Sequence, residues 1–160
     1  MKKQGVVICG FPGIGKSYLA KRHKNVVDLD LGDFQFLNYD HSKSRADLRP
    51  NPNFPQNYCE AVLNSKEKYD FVLACYSGEL WQFLQSKGIE FFLAIPKKTG
   101  WRYLEERFKA RGNDDEFIKI VKQSFLQESA KTDANILWLE DGEFLENALA
   151  RKGLLTNSKN

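Results

Sequence analysis

An α/β fold, a five-stranded parallel sheet sandwiched by helices, is what the sequence predicts, and three observations predict it. Short apolar runs alternate with helix-patterned stretches along the 160 residues, a glycine-rich turn joins the first run to the first helix, and no repeat or low-complexity tract interrupts the alternation. Val6-Val7-Ile8-Cys9 makes residues 5–9 a buried strand, and residues 15–23 follow as a helix. Asn25-Val26-Val27-Asp28-Leu29 is a second strand. An irregular stretch over 38–55 carries Pro50, Pro52 and Pro55. Residues 56–68 then read as a helix, 71–76 as a third buried strand, and 79–87 as a helix capped by Ser77. The fourth strand is 89–95. Two helices, 99–111 and 113–131, come next, the second opening with Asn113 and Glu116 at capping-box spacing. Residues 136–139 form the fifth strand and 143–150 the last helix.

A chain of this length predicts one domain over 1–160, since a domain of about 150 residues buries roughly 70% of its unfolded surface. The formal charge of +3 is spread along the chain with acids between the bases. That pattern suits anionic small molecules and lacks the continuous basic groove a nucleic-acid strand wants. Cys9, Cys59 and Cys75 are odd in number and show no metal-ligand spacing, as expected of reduced thiols in a cytoplasmic protein. Met1-Lys2-Lys3-Gln4 runs straight into the first strand, and no later run is long enough to span a bilayer, so no membrane partner is expected.

Residues 10–17 read Gly10-Phe11-Pro12-Gly13-Ile14-Gly15-Lys16-Ser17, between strand and helix, which is the order a phosphate-binding loop requires. Its glycines let successive N–H groups turn inward around a β-phosphate, while the helix beginning near Gly15 aims its positive end at the same anion. Lys16 then reaches the β- and γ-phosphates and Ser17 offers a hydroxyl to Mg²⁺. The candidate contacts to ATP are Gly10, Phe11, Pro12, Gly13, Ile14, Gly15, Lys16, Ser17 and the adjoining Tyr18, with Ser17 as the metal ligand.

Three further groups bear on the chemistry. Asp28 and Asp30, with Asp33 behind them, close the second strand, and positions 28 and 30 share one side of an extended chain. Such a pair can hold the water shell of Mg²⁺, take a proton from an acceptor hydroxyl, or bond an acceptor's sugar. Solvating a turn or capping the next helix is the plain alternative. Arg107 and Arg111, four residues apart on one helical stripe, suit charge developing on a transferring phosphoryl group, against the alternative of a solvated face beside Glu105 and Glu106. Arg102 lies elsewhere around that helix and receives no role. Between Asp40 and Tyr58, Arg45 and Arg49 alternate with acids ahead of a proline-rich bend. As an acceptor-binding flap this segment would set Arg49 on an acceptor phosphate and Phe54 or Tyr58 against a base; as a solvent loop it would tuck Phe54 into the core. The third strand lacks the closing acid with which many nucleotide hydrolases hold their metal, which argues against a motor or switch ATPase.

Taken together, residues 10–17, Asp28-Leu29-Asp30, the run from Arg49-Pro50-Asn51-Pro52 to Tyr58, and the run from Tyr103-Leu104-Glu105-Glu106-Arg107 to Asp114 resemble small P-loop nucleoside and nucleotide kinases of the adenylate-kinase-like type. The resemblance covers the chain to about residue 140. It implies the P-loop nucleoside triphosphate hydrolase fold, an acceptor-binding region over about 31–68, and a helical-hairpin lid over about 97–131. By that likeness Lys16, Asp30, Arg107 and Arg111 are catalytic, and Asp28, Asp30, Arg49 and Phe54 bind the acceptor. The expected activity is transfer of the γ-phosphoryl of ATP–Mg²⁺ to a nucleoside or nucleoside monophosphate by a monomer or weak dimer. A hydroxyl kinase of the shikimate or gluconate type, a polynucleotide 5′-kinase, and a non-catalytic nucleotide-binding regulator are the alternatives.

Overall fold

The computed structural model describes residues 4–40, 42, 44–131 and 135–155. The expected entry of residues 1–3 into the first strand lies outside them. Five strands, β1 (Val6–Gly10), β2 (Val26–Asp28), β3 (Phe71–Cys75), β4 (Phe91–Pro96) and β5 (Ile136–Leu139), form one sheet in the order β2-β3-β1-β4-β5. β2 runs parallel to β3 with Val26 opposite Phe71 and Asp28 opposite Leu73; β4 runs parallel to β5 with Leu93 opposite Ile136 and Pro96 opposite Leu139. Parallel strands need crossovers, and helices supply them: α1 (Lys16–Arg22), α2 (Gly32–Gln35), α3 (Gln56–Lys66), α4 (Gly78–Ser86), α5 (Trp101–Ala110) and α6 (Asp115–Glu128), with α7 (Leu145–Arg151) following β5. The predicted α/β class and five-stranded parallel sheet are therefore present.

The chain divides into two compact units, one holding the residues up to Cys9 and Asn25–Phe91, the other Gly10–Lys24 and the chain from Phe92 onward. In the first, Val72, Leu73 and Ala74 are fully buried, as a strand covered on both faces requires, and Val62, Leu80 and Leu84 pack there too. Tyr58, an expected base-stacking candidate, belongs to this core: it is 1% exposed, donates its hydroxyl to the Leu29 carbonyl at 3.0 Å and accepts the Cys75 N–H at 2.9 Å. Its ring meets Phe34 edge-on. The phenol ties the ends of β2 and β3 together and has no surface to offer a ligand.

Tyr58→Phe is expected to cost about 1–3 kcal/mol in urea unfolding, because it strands a buried N–H and a carbonyl. Burial first, then the nearby Cys75 thiol, pushes the Tyr58 phenol far above the ordinary tyrosine range. The unfolded chain ionises this phenol near about pH 10 while the folded chain keeps the proton, so the contribution is complete below that pH and is lost as pH rises through it. Urea titrations at pH 8 and pH 11 check this: the wild type loses more stability over the interval than Tyr58→Phe does.

The two arms of the irregular stretch pair with each other. Phe36 bridges Pro50 antiparallel, Leu37 N–H donates to the Arg49 carbonyl, and Asn51 N–H donates to the Gln35 carbonyl. Asn38 closes it from inside, donating Nδ2 to the Asp47 carbonyl and accepting the Arg49 N–H.

In the second unit an aromatic cluster supplies the core: Phe11 meets Phe125 edge-on at 5.7 Å, and Trp101 lies 5.5 Å from Phe125 and 6.3 Å from Phe108. Ile14, Leu19 and Leu104 are fully buried beside Phe108. One expected cap moves. Gly112, at φ +83°, takes the left-handed turn that ends α5, so Asn113 donates its N–H back to the Phe108 carbonyl, and Asp114 instead caps α6 by accepting the Phe117 N–H at 2.8 Å. Ser77 caps α4 as expected, accepting the Leu80 N–H at 3.5 Å. Arg151 bonds Glu143 with Nε and Nη2 and donates Nη2 to the Trp138 carbonyl on β5. That pairing with Arg151, more than anything else, holds the Glu143 carboxyl below its ordinary range.

Candidate functional site

The loop of residues 10–17 leaves the carboxyl end of β1. Gly13 and Gly15 sit at φ +86° and +88°, a region that L side chains avoid, and the two reversals curl the backbone into a turn ahead of α1. Space adds a second constraint. A Cβ on Gly13 would stand 3.0 Å from the Phe108 ring, and one on Gly15 3.0 Å from the Phe144 ring. The Lys16 ammonium folds back across the turn to the Gly10 carbonyl at 2.6 Å. Gly15 caps α1 without a side-chain acceptor for the first N–H groups, and Ser17 is exposed beside them.

The candidate nucleotide contacts therefore fall into two kinds. Phe11 and Ile14 are anchors: Phe11 is 2% exposed and gives its N–H to the Ala94 carbonyl, while Ile14 is fully buried and accepts the Leu145 N–H at 2.8 Å. Pro12 has no N–H to offer. The backbone from Gly13 to Ser17 that opens α1, the Lys16 ammonium and the exposed Ser17 hydroxyl are the remaining polar groups of this stretch. Tyr18 is 56% exposed, with the Arg22 guanidinium 5.1 Å from its ring centre. A single hard hydroxyl oxygen fits Mg²⁺, which keeps several waters and takes its remaining ligands from phosphate. Among the described residues no group of three or more His, Cys, Asp or Glu gathers to hold a metal.

Arg107 is more committed than a surface stripe would be. Its Nη1 donates to the Gly13 carbonyl at 2.9 Å, and its Nη2 donates to the carbonyls of Gly142 and Glu143 at 3.0 and 3.1 Å. The guanidinium carbon lies 3.8 Å from the Phe144 ring centre. Burial, and secondly the neighbouring Arg111 cation, holds its pKa below the ordinary arginine value. Arg107 thus clamps the glycine turn to the turn ahead of α7, whereas Arg111 is exposed at the end of α5. Sequence reasoning missed Phe144 and its turn. The available signal was Asp141-Gly142 directly after the fifth strand, a turn pair whose glycine adopts φ +79°.

The acceptor candidates lie in the other unit. Asp28 ends β2, half-buried. Leu29 still donates its N–H to the Leu73 carbonyl, but the chain then turns, so strand parity does not extend to Asp30. Exposed Asp30 instead accepts the Gly32 N–H on Oδ1 at 3.0 Å, the turn-capping alternative. Tyr39, also missed, packs on Gly32, and burial, then the carboxylates of Asp30 and Asp33, raises its phenol above the usual range. Arg49 is exposed on the closed loop. Phe54 is half-buried and lines a cavity of about 470 Å³ formed by residues 52–57 and Glu60.

No helix among the described residues is long and apolar enough to cross a membrane. No protein-family model matches this chain, and no curated protein matches it either.

Proposed function

We propose that this protein is a P-loop phosphotransferase that moves the γ-phosphoryl of ATP to a small acceptor, a nucleoside or nucleoside monophosphate. One observation carries the reading: two left-handed glycines follow the central strand of a parallel sheet, and the Lys16 ammonium lies on the Gly10 carbonyl where the same turn begins, an arrangement suited to gathering backbone donors and one cation on a single anion. The N–H groups of Gly13 and Gly15 bind the β-phosphate, and Lys16 leaves Gly10 to reach the β- and γ-oxygens. Ser17 would hold Mg²⁺, which would supply neutralising charge beside the phosphates. Arg107 positions the glycine turn, and Arg111 on the α5–α6 hairpin, acting as a lid, stabilises charge as the phosphoryl moves. Asp28, Asp30, Arg49 and Phe54 serve the acceptor, with Asp30 as base or acceptor ligand.

ADP release from Mg·ATP, measured across nucleosides, nucleoside monophosphates and shikimate- or gluconate-type hydroxyl compounds, tests this. Release that rises with one nucleoside or nucleotide is the expected result. Tight ATP binding without turnover across the panel would replace the kinase with a nucleotide-binding regulator.

A further inference from the structure

The cavity of about 470 Å³ along residues 52–57 has a definite chemistry, and its size is that of a small-molecule site. Phe54 gives it a half-buried ring, flanked by prolines whose backbones are stiff. Around the ring stand Asn53, Gln56 and Glu60, and no lysine or arginine lines the cavity. Gln56 Nε2 donates to Glu60 Oε1 at 3.0 Å, which sets the two head groups side by side. That bond leaves Glu60 Oε2 to accept and the second Gln56 Nε2 hydrogen to donate. Asn57, by contrast, turns both ends of its amide to the backbone, donating to the Phe34 carbonyl and accepting the Tyr58 N–H. The cavity therefore offers a flat apolar face, adjacent amide donors and a carboxylate acceptor, with no cation for a phosphate.

We propose that this cavity holds an amino-bearing nucleobase of the adenine or cytosine pattern, and, resting on the phosphotransferase reading, that the base belongs to the acceptor. Those two bases carry an exocyclic amino donor beside a ring-nitrogen acceptor. A carboxylate takes the amino hydrogen and a side-chain amide donates to the ring nitrogen, while Phe54 stacks on the π-face. In the same orientation uracil and hypoxanthine present a carbonyl where Glu60 needs a donor; they fit only turned over, with the ring N–H on Glu60 and the sugar on the opposite side, and bind more weakly.

The test follows the side-chain amide resonances of Asn53 and Gln56 by NMR in the full chain as cytidine, adenosine, uridine or inosine is added. Cytidine and adenosine are expected to shift both resonances and to bind about tenfold tighter than uridine and inosine, the scale of one charge-assisted hydrogen bond at a partly exposed site. Glu60→Gln is expected to erase that preference with an unchanged thermal midpoint, and Phe54→Leu to weaken all four nucleosides together. Silent Asn53 and Gln56 resonances, equal affinities for the four, or a preference that survives Glu60→Gln would overturn the proposal. Calorimetry with magnesium tripolyphosphate, which carries no base, reads the glycine turn separately on the same samples. Tripolyphosphate heat with silent amides sinks the cavity and leaves the kinase standing; base-selective shifts without that heat do the reverse.

Discussion

Lys16→Ala is expected to weaken Mg·ATP binding by about 100-fold, the scale of losing one ammonium from two phosphate oxygens. The ammonium already lies at the glycine turn, on the Gly10 carbonyl, and in the proposed reading it exchanges that acceptor for phosphate. The same bond defines the rival outcome. If its whole contribution were to brace the turn, the alanine variant would lose thermal stability and keep its nucleotide affinity. Isothermal titration with Mg·ATP beside a thermal melt separates the two, and the expected pattern is a large affinity loss with about 1 kcal/mol or less of destabilisation.

Arg107→Ala is expected to damage both properties. The side chain bonds three carbonyls from two turns and covers the Phe144 ring, so its removal leaves the Gly13 carbonyl, on a buried residue, without its cation. We expect roughly 2–4 kcal/mol of destabilisation, since these are charge-assisted bonds whose contributions overlap. In a chain of this size that corresponds to a fall of about 10 °C in Tm. Loosening the turn also misplaces its amides, so the KM for ATP rises along with the fall in kcat. By the resemblance Arg107 is a lid residue, whose loss lowers turnover much more than nucleotide affinity; its bonds predict otherwise. Arg107→Lys should recover little, because a point ammonium cannot fork between Gly13 and Gly142. Arg111→Ala is the contrast, with kcat reduced and the melt unchanged. A Tm for Arg107→Ala within a degree of wild type would refute the clamp.

Local pattern made much of this molecule legible. Ile136–Leu139 is a strand with the bounds its apolar run predicts, and the glycine turn sits between β1 and α1 as its spacing requires. What stayed hidden depends on contacts distant in sequence or on one backbone angle. Asn113 and Glu116 have capping-box spacing, yet the left-handed turn at Gly112 moves the cap to Asp114. Tyr58 reads as a base-stacking candidate after a proline bend, but it is buried because Leu29 and Cys75 offer its hydroxyl two backbone partners. Asn38 looks like any loop asparagine until its amide is found closing the loop at Asp47 and Arg49. The Arg107–Phe144 pair joins residues whose neighbours carry no sign of each other, and a periodicity argument has no term for it.

β5 is the last strand of the sheet, and its outer rim presents backbone groups that another chain can pair with. The Arg151 guanidinium sits on the Trp138 carbonyl at that rim, steered there by Glu143. A stranger's strand that tried to add at this position would have to evict a bonded cation and strip its water. The ion pair that fastens α7 thereby leaves one carbonyl of that rim already bonded.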